Sequence, residues 1–294
     1  MYYFRLLVRY LRLIRIHQWF KNIFIFLPIF FAGKLLDLHM VLISVVAFFS
    51  FSFISSSIYI INDYKDIEYD KMHPVKKNRP LASGKIKINQ AFIVFSLLFF
   101  SAYFMCFIIQ SWEVAFLITI YFLMNLAYSY KLKQIAIIDV IIIAIGFLLR
   151  IYVGGFSVSL PISVWAILVT FFLALVMAIA KRRGELINVQ ITGQTRKALN
   201  GYNLQFIDVA ITVVSTCFVV CYIMYTLDPV IKKNFHEYII YTTLFVVIGI
   251  LRYLQLTFVY NKTESPTKVV YKDLFLQIDL ILWLIMVFIL KYLN

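Results

Sequence analysis

The sequence predicts an all-α, polytopic membrane protein, and three observations carry that prediction. Hydrophobic residues fill 63% of the 294 positions and charged residues only 14%, where soluble domains carry roughly a quarter charged. The apolar residues fall in runs of about 20, the length that crosses a hydrocarbon core as a helix. The charges collect in the gaps between those runs, and lipid admits only backbones that satisfy their own hydrogen bonds, as helices do. The same distribution excludes nucleic acid as a partner. The 28 Lys and Arg against 14 Asp and Glu give a net charge of +14, but they are scattered over short loops instead of forming one soluble face. That pattern suits anionic lipid or phosphate ligands.

The first element is interfacial. Over residues 1–16, Arg5, Arg9, Arg12 and Arg15 recur at helical spacing, with Tyr3, Leu6, Leu7, Leu11 and Ile14 largely on the other side. This reads as an amphipathic helix lying in the membrane interface. It lacks the long apolar core and small-residue cleavage site of a signal peptide. Nine spans are expected at residues 20–36, 40–61, 88–109, 113–130, 135–155, 161–181, 205–227, 237–259 and 273–292. The first is short and contains Pro28. No linker, low-complexity tract or repeat divides them, so residues 1–294 read as one transmembrane domain. Cys106, Cys217 and Cys221 lie inside apolar runs without metal-ligand spacing and read as packing residues.

Basic residues orient the chain. The segment after span 2 carries Lys65, Lys71, Lys76, Lys77, Arg79, Lys85 and Lys87; after span 4 come Lys131 and Lys133; after span 6, Lys181, Arg182, Arg183, Arg196 and Lys197; after span 8, Lys262, Lys268 and Lys272. The opposite loops hold only Lys34, Lys232 and Lys233. The positive-inside rule then places the N-terminus and the loops at 62–87 and 182–204 in the cytoplasm, in a cell (inner) membrane. Asn261-Lys262-Thr263 matches a glycosylation acceptor but falls on the same side, and is set aside.

Chemistry concentrates where span 2 ends, in Asn62-Asp63-Tyr64-Lys65-Asp66-Ile67-Glu68-Tyr69-Asp70. On a continuing helix Asp63, Asp66 and Asp70 share one face. Three like charges there are unfavourable unless a cation joins them, and carboxylate oxygens suit Mg2+ bridged to phosphate oxygens. Lys76 and Arg79 come directly after, in a stretch punctuated by Pro74, Pro80 and Gly84. Carboxylates for a metal beside cations for phosphate describe a diphosphate site. The bland alternative is a solvated loop of mixed charge.

The string Asn-Asp-x-x-Asp-x-x-x-Asp, then His73-Pro74-x-Lys76-x-x-Arg79-Pro80 and Ser83-Gly84, resembles the UbiA superfamily of intramembrane prenyltransferases. Further strings resemble its decaprenyl-phosphate phosphoribosyltransferase branch. These are His17-Gln18-Trp19-Phe20-Lys21-Asn22, Tyr128-Ser129 with Lys133, Asp139-Val140, Gly146-Phe147-Leu148-Leu149-Arg150 with Gly154-Gly155, and Ala180-Lys181-Arg182-Arg183-Gly184-Glu185-Leu186. The resemblance implies a nine-helix bundle with a polar cavity facing the cytoplasm. It also implies Mg2+ as cofactor on Asp63, Asp66 and Asp70. Ordinary members carry a second Asp-rich motif after span 6; here Lys181-Arg182-Arg183-Gly184-Glu185 stands in that place, which implies anion binding there.

The reaction so implied moves a 5-phosphoribosyl group from phosphoribosyl diphosphate to a polyprenyl phosphate of decaprenyl type, releasing pyrophosphate, for cell-envelope glycan precursors. The resemblance assigns substrate binding to Lys21, Asn22, Asn62, Lys76, Arg79, Tyr128, Lys133, Asp139, Arg150, Lys181, Arg182 and Glu185. Several have plainer readings: Trp19 and Lys21 as interfacial anchors, Lys133 as a topology determinant, Arg150 and Asp139 as structurally paired intramembrane charges. Those last two lie about three turns apart on one helix, too far to touch. No Ser/His/Asp or Cys/His arrangement is visible, and an ionised acceptor phosphate requires no strong base. His39 and His236 read as surface residues, and Asp208 and Asp279 find no role. Two other functions are weighed: a UbiA-type prenyltransferase with a prenyl diphosphate donor and an aromatic acceptor, and a lipid transporter or flippase. The absence of an inverted repeat argues against the last.

Overall fold

The computed structural model describes residues 2–72, 76–192, 197–235, 237–261, 269 and 272–293. Expectations for His73, Pro74, Arg196, His236, Lys262, Thr263 and Lys268 lie outside the described residues. Those residues form helices and connections, with no strand among them. In order they are α1 (Tyr2–Leu13), a 3-10 helix (Ile16–Phe26) running into α2 (Leu27–Phe31), α3 (Leu38–Lys65), α4 (Ile67–Met72), α5 (Ile88–Ile109), α6 (Trp112–Tyr130), α7 (Ile138–Ser157), α8 (Val164–Thr192), α9 (Leu204–Leu227), α10 (Pro229–Phe235), α11 (Thr243–Phe258) and α12 (Leu274–Tyr292). Asp37, Asn203 and Asp273 start α3, α9 and α12 by accepting the backbone N–H of Met40, Phe206 and Leu276. These are side-chain caps of the ordinary kind.

Eight helices among the described residues are long and apolar enough to cross a membrane. They coincide with eight of the nine expected spans. The remaining one, expected at 20–36, is a shorter apolar helix over Ile16–Phe31, with Pro28 in the first turn of α2. Proline has no N–H to give and is tolerated there. The interfacial helix at 1–16 ends at Leu13, and Arg15 takes a left-handed backbone (φ 53°, ψ 50°) that turns the chain into the 3-10 helix. The loop expected at 182–204 is helical to Thr192, because Lys181, Arg182 and Glu185 fall at helical spacing and pair with one another. The loop at 62–87 likewise contains α4.

The chain packs as two compact units, residues 1–130 with 149–161, and residues 131–148 with 162–294. The first is organised on α3, whose buried face is rich in serine: Ser44, Ser50, Ser52, Ser55, Ser56 and Ser57. Small side chains let neighbouring helices approach closely, and their hydroxyls hydrogen-bond across the gap. Ser50 donates to the Ala102 carbonyl of α5 at 2.9 Å, and Trp19 donates to Ser56 at 2.9 Å. Where α7 meets the 3-10 helix the approach is closer still, and only glycine fits at position 154.

The second unit closes around Val176, Ile179, Ile207, Ile211, Phe218 and Ile250. Arg183 of α8 ties it together. It donates to Asp208 of α9 at 2.7 Å, to the Thr257 carbonyl of α11 at 2.7 Å and to Asn261 at 2.5 Å. Asp208 therefore serves packing. Arg252 of α11 pairs with Asp273, the cap of α12, at 2.7 Å.

A Cβ at residue 154 would stand 2.1 Å from the Ile25 carbonyl oxygen, and backbone cannot yield as a side-chain tip can. Gly154→Ala is therefore expected to destabilise the first unit by about 2 kcal/mol or more, read as a lowered thermal midpoint in detergent.

Candidate active site

Three polar clusters contain most of the expected site residues. The first forms at the end of α3. Asp66 interrupts the helix, yet its N–H still reaches the Asn62 carbonyl at 3.0 Å, and Asp70 N–H reaches the Asp66 carbonyl at 2.7 Å. The i to i−4 register thus survives the break, and Asp63 and Asp70 are both about 1% exposed. Arg79 bridges them: Nη1 donates to Asp63 Oδ1 at 3.1 Å and to Asp70 Oδ2 at 2.6 Å. Arg15 donates to the same Asp63 Oδ1 and lies over the Tyr59 ring at 4.8 Å. Asp63 Oδ2 is buried and has no hydrogen-bond partner among the described residues.

Local sequence explains how Arg79 arrives there. Leu81 anchors its loop among Leu13, Ile60, Ile86 and Ala91. Gly84 closes the loop with a left-handed φ of 69°, its N–H on the Leu81 carbonyl at 3.1 Å. Lys76 lies 6.0 Å over the Tyr69 ring. Asn62 is half-buried in the last turns of α3, and Tyr128 half-buried near the end of α6. Beside Tyr128, the Ser129 carbonyl accepts from Lys65 at 3.0 Å.

A second polar ladder in the same unit surrounds Arg150, which is 5% exposed. Its Nε donates to Asn22 Oδ1 at 2.8 Å and its Nη2 to the Tyr121 hydroxyl at 3.3 Å. Asn22 in turn donates to Ser52 at 2.8 Å, and the Phe51 ring lies 4.7 Å below the guanidinium. Asn22 and Tyr121 hold the guanidinium through neutral oxygens. Lys21 is half-buried beside Asn22.

The remaining cluster belongs to the second unit. Asp139, fully buried, meets Arg182 Nε at 2.8 Å and accepts from the Tyr202 hydroxyl at 2.7 Å. Tyr202 also accepts the Ile137 N–H at 2.6 Å. Burial first, then the hydrogen bond to Asp139, pushes the Tyr202 phenol well above its ordinary range, so it stays a proton donor. Arg182 donates to Glu185 as well, and Lys181 stands 3.9 Å from Glu185. Arg182 was expected to face substrate phosphate, but its side chain is 1% exposed and answered by two carboxylates. Lys181, at 44%, is the more exposed cation. Lys133 is half-buried in a 3-10 turn, Leu132–Gln134.

Tyr202, Arg15, Tyr121 and Ser52 were invisible as site residues. Tyr202 lies 63 positions from its partner Asp139, and no spacing rule reaches that far. Arg15 read as one of four interfacial arginines. Among the described residues no group of three or more His, Cys, Asp or Glu side chains stands gathered for a metal. Asp63 and Asp70 meet through Arg79 instead.

Apolar helices enclosing buried carboxylates and guanidiniums define an integral, multi-pass membrane protein with polar chemistry held inside it. Residues 22–285 match the UbiA prenyltransferase family, and the chain belongs to that family of transferases. It is 34% identical over 221 residues to a decaprenyl-phosphate phosphoribosyltransferase of Mycolicibacterium smegmatis, covering 72% of this chain and 68% of that one. A protein of the same name from Mycobacterium tuberculosis is 32% identical, with 71% and 70% covered. Among solved structures, a UbiA homologue from Archaeoglobus fulgidus bound to DMAPP and Mg2+ superposes with a TM-score of 0.70. It is 18% identical, covering 96% of this chain and 98% of that one. Membership in a transferase family sets the transporter reading aside.

The burial pattern separates two neighbours on α8. Arg182→Ala leaves Asp139 with its charge buried and is expected to destabilise the protein by about 3–5 kcal/mol. Lys181→Ala removes only an exposed pair and is expected to cost under about 1 kcal/mol. Thermal midpoints of the two variants in detergent check the contrast.

Proposed function

We propose that this protein transfers a 5-phosphoribosyl group from phosphoribosyl diphosphate to a polyprenyl phosphate of decaprenyl type, in support of cell-envelope glycan synthesis. An oxygen of the acceptor phosphate bonds to ribose C1 as the bond from C1 to the diphosphate oxygen breaks, and pyrophosphate leaves with the electron pair. The observation that carries this reading is the Asp63–Asp70 pair, buried and cross-linked by guanidiniums, in a chain whose mycobacterial relatives are named for the same transfer.

The residues present fit a hard divalent cation. Asp63, Asp66 and Asp70 offer oxygen donors within two helical turns, and Asp63 Oδ2 is buried and unpartnered among the described residues. Bound there, Mg2+ would supply neutralising charge to the diphosphate. Lys76 and Arg79 hold diphosphate oxygens, and Asn62 completes the polar shell beside Asp63. Lys21, Asn22 and Arg150 form a group that holds a second phosphate. Arg150 suits that role because its guanidinium offers a planar fork of donors beside Asn22. Tyr128 in the first unit, and Lys133, Lys181 and Glu185 in the second, are assigned to substrate binding. Asp139 and Arg182 act as struts beneath Lys181 and Glu185. The acceptor phosphate is ionised near neutral pH, so positioning and charge stabilisation supply most of the rate. The positive-inside pattern supports an orientation with the aspartates at the cytoplasmic face of the inner membrane.

A second reading has its own support. The A. fulgidus homologue was solved with a prenyl diphosphate and Mg2+, which favours a prenyl donor and another acceptor. One assay divides the two. Purified protein with Mg2+, labelled phosphoribosyl diphosphate and polyprenyl phosphate is expected to yield a labelled lipid, and Asp66→Asn to lower that rate about 100-fold or more. Turnover with a prenyl diphosphate, and none with phosphoribosyl diphosphate over several acceptor lengths, would contradict the proposal.

A further inference from the structure

Arg15 belongs to none of the strings that carry the chemistry, yet the fold delivers it to the most buried carboxylate of the site. Three features place it there. Leu13 is fully buried against Ile60, Leu81 and Ile86, which docks the end of α1 on the end of α3. The Ile14 carbonyl accepts the Ser56 hydroxyl at 2.8 Å. Arg15 itself takes the left-handed backbone that residues other than glycine seldom adopt. The guanidinium then stacks on Tyr59 and donates to Asp63 Oδ1.

Arg15 and Arg79 crowd onto one oxygen of Asp63, and among the described residues the other oxygen, also buried, has no hydrogen-bond partner. Arg15 keeps 21% of its side chain exposed and Arg79 27%, against 1% for Asp63. The guanidiniums therefore sit at the open side of the pair.

Charge balance limits what this arrangement can bind. Two guanidiniums balance Asp63 and Asp70. A divalent cation on Asp63, Asp66 and Asp70 displaces both guanidiniums from the carboxylates and turns the net charge of the cluster from negative to positive. A diphosphate supplies the opposing charge, with oxygens enough for both forks. We propose that Arg15 is a ligand of the donor diphosphate, and that it holds the cation's place on Asp63 until cation and diphosphate enter together. This rests on the reading that the aspartates bind metal and diphosphate. It makes the two ligands cooperative: the cation alone leaves the arginines unpaired, and the diphosphate alone leaves the aspartates unpaired.

The test uses the full chain in nanodiscs, with Mn2+ binding followed by electron paramagnetic resonance of the free ion, with and without inorganic pyrophosphate. In Arg15→Ala, Mn2+ alone should bind about 5-fold tighter, because a competing cation is gone, while pyrophosphate in the presence of Mn2+ should bind about 10-fold weaker. Arg15→Lys keeps the charge and should recover part of both shifts; it carries the test should the alanine variant fail to fold. A merely structural Arg15 would weaken both ligands together, and that result, or no change in either, overturns the proposal. Asp63→Asn in the same assay isolates the underlying reading. If it binds Mn2+ as the unaltered chain does, the metal assignment itself fails; if it loses Mn2+ while Arg15→Ala changes nothing, only the role of Arg15 fails.

Discussion

A carboxylate buried in an apolar helix bundle must be answered by a positive or hydrogen-bonding group, because leaving it bare costs several kcal/mol. That constraint shapes both carboxylate-bearing clusters. Asp63 and Asp70 have Arg79 and Arg15; Asp139 has Arg182 and the Tyr202 hydroxyl. The same rule runs in reverse for Arg150, which is buried on Asn22, Tyr121 and the Phe51 ring. Each partner comes from a different stretch of chain, so satisfying the charge also fixes which helix ends meet.

The two clusters solve the problem differently. In the second unit the pairing is closed to solvent: the Arg182 side chain is 1% exposed between Asp139 and Glu185, and Arg183 locks α8 to α9 and α11. Such pairs hold shape. At the end of α3 the pairing is unfinished, with two partly exposed guanidiniums sharing one oxygen of buried Asp63. Unfinished pairing is what a site that must exchange partners requires, and it is why the proposed chemistry is assigned there.

Much of this was legible in the sequence. Apolar runs of spanning length mark eight helices, because hydrocarbon leaves the backbone no alternative. The Asp63–Asp70 spacing marks the acidic turn, because helical register is local. Legibility ended where partners are distant or where local pairing extends an element. Arg15 reads as an interfacial charge until Leu13 is seen to dock α1 on α3. Arg182 reads as a phosphate ligand until Asp139 is found against it. The segment after span 6 reads as a loop because it is charged, yet its charges stand at helical spacing and prolong α8 to Thr192. Over 20–36, apolar composition alone signalled a full span, while Pro28 and the turn at Arg15 leave a shorter helix.

Anomalous scattering from crystals grown with Mn2+ and pyrophosphate tests the central claim most directly, since it locates the ion without reference to any assumed reaction. The account predicts a manganese peak about 2–2.5 Å from carboxylate oxygens of Asp63 and Asp70, with the Arg15 and Arg79 guanidiniums turned onto pyrophosphate oxygens. A peak remote from these aspartates, or an Asp63 still gripped by both arginines with pyrophosphate bound elsewhere, would contradict it.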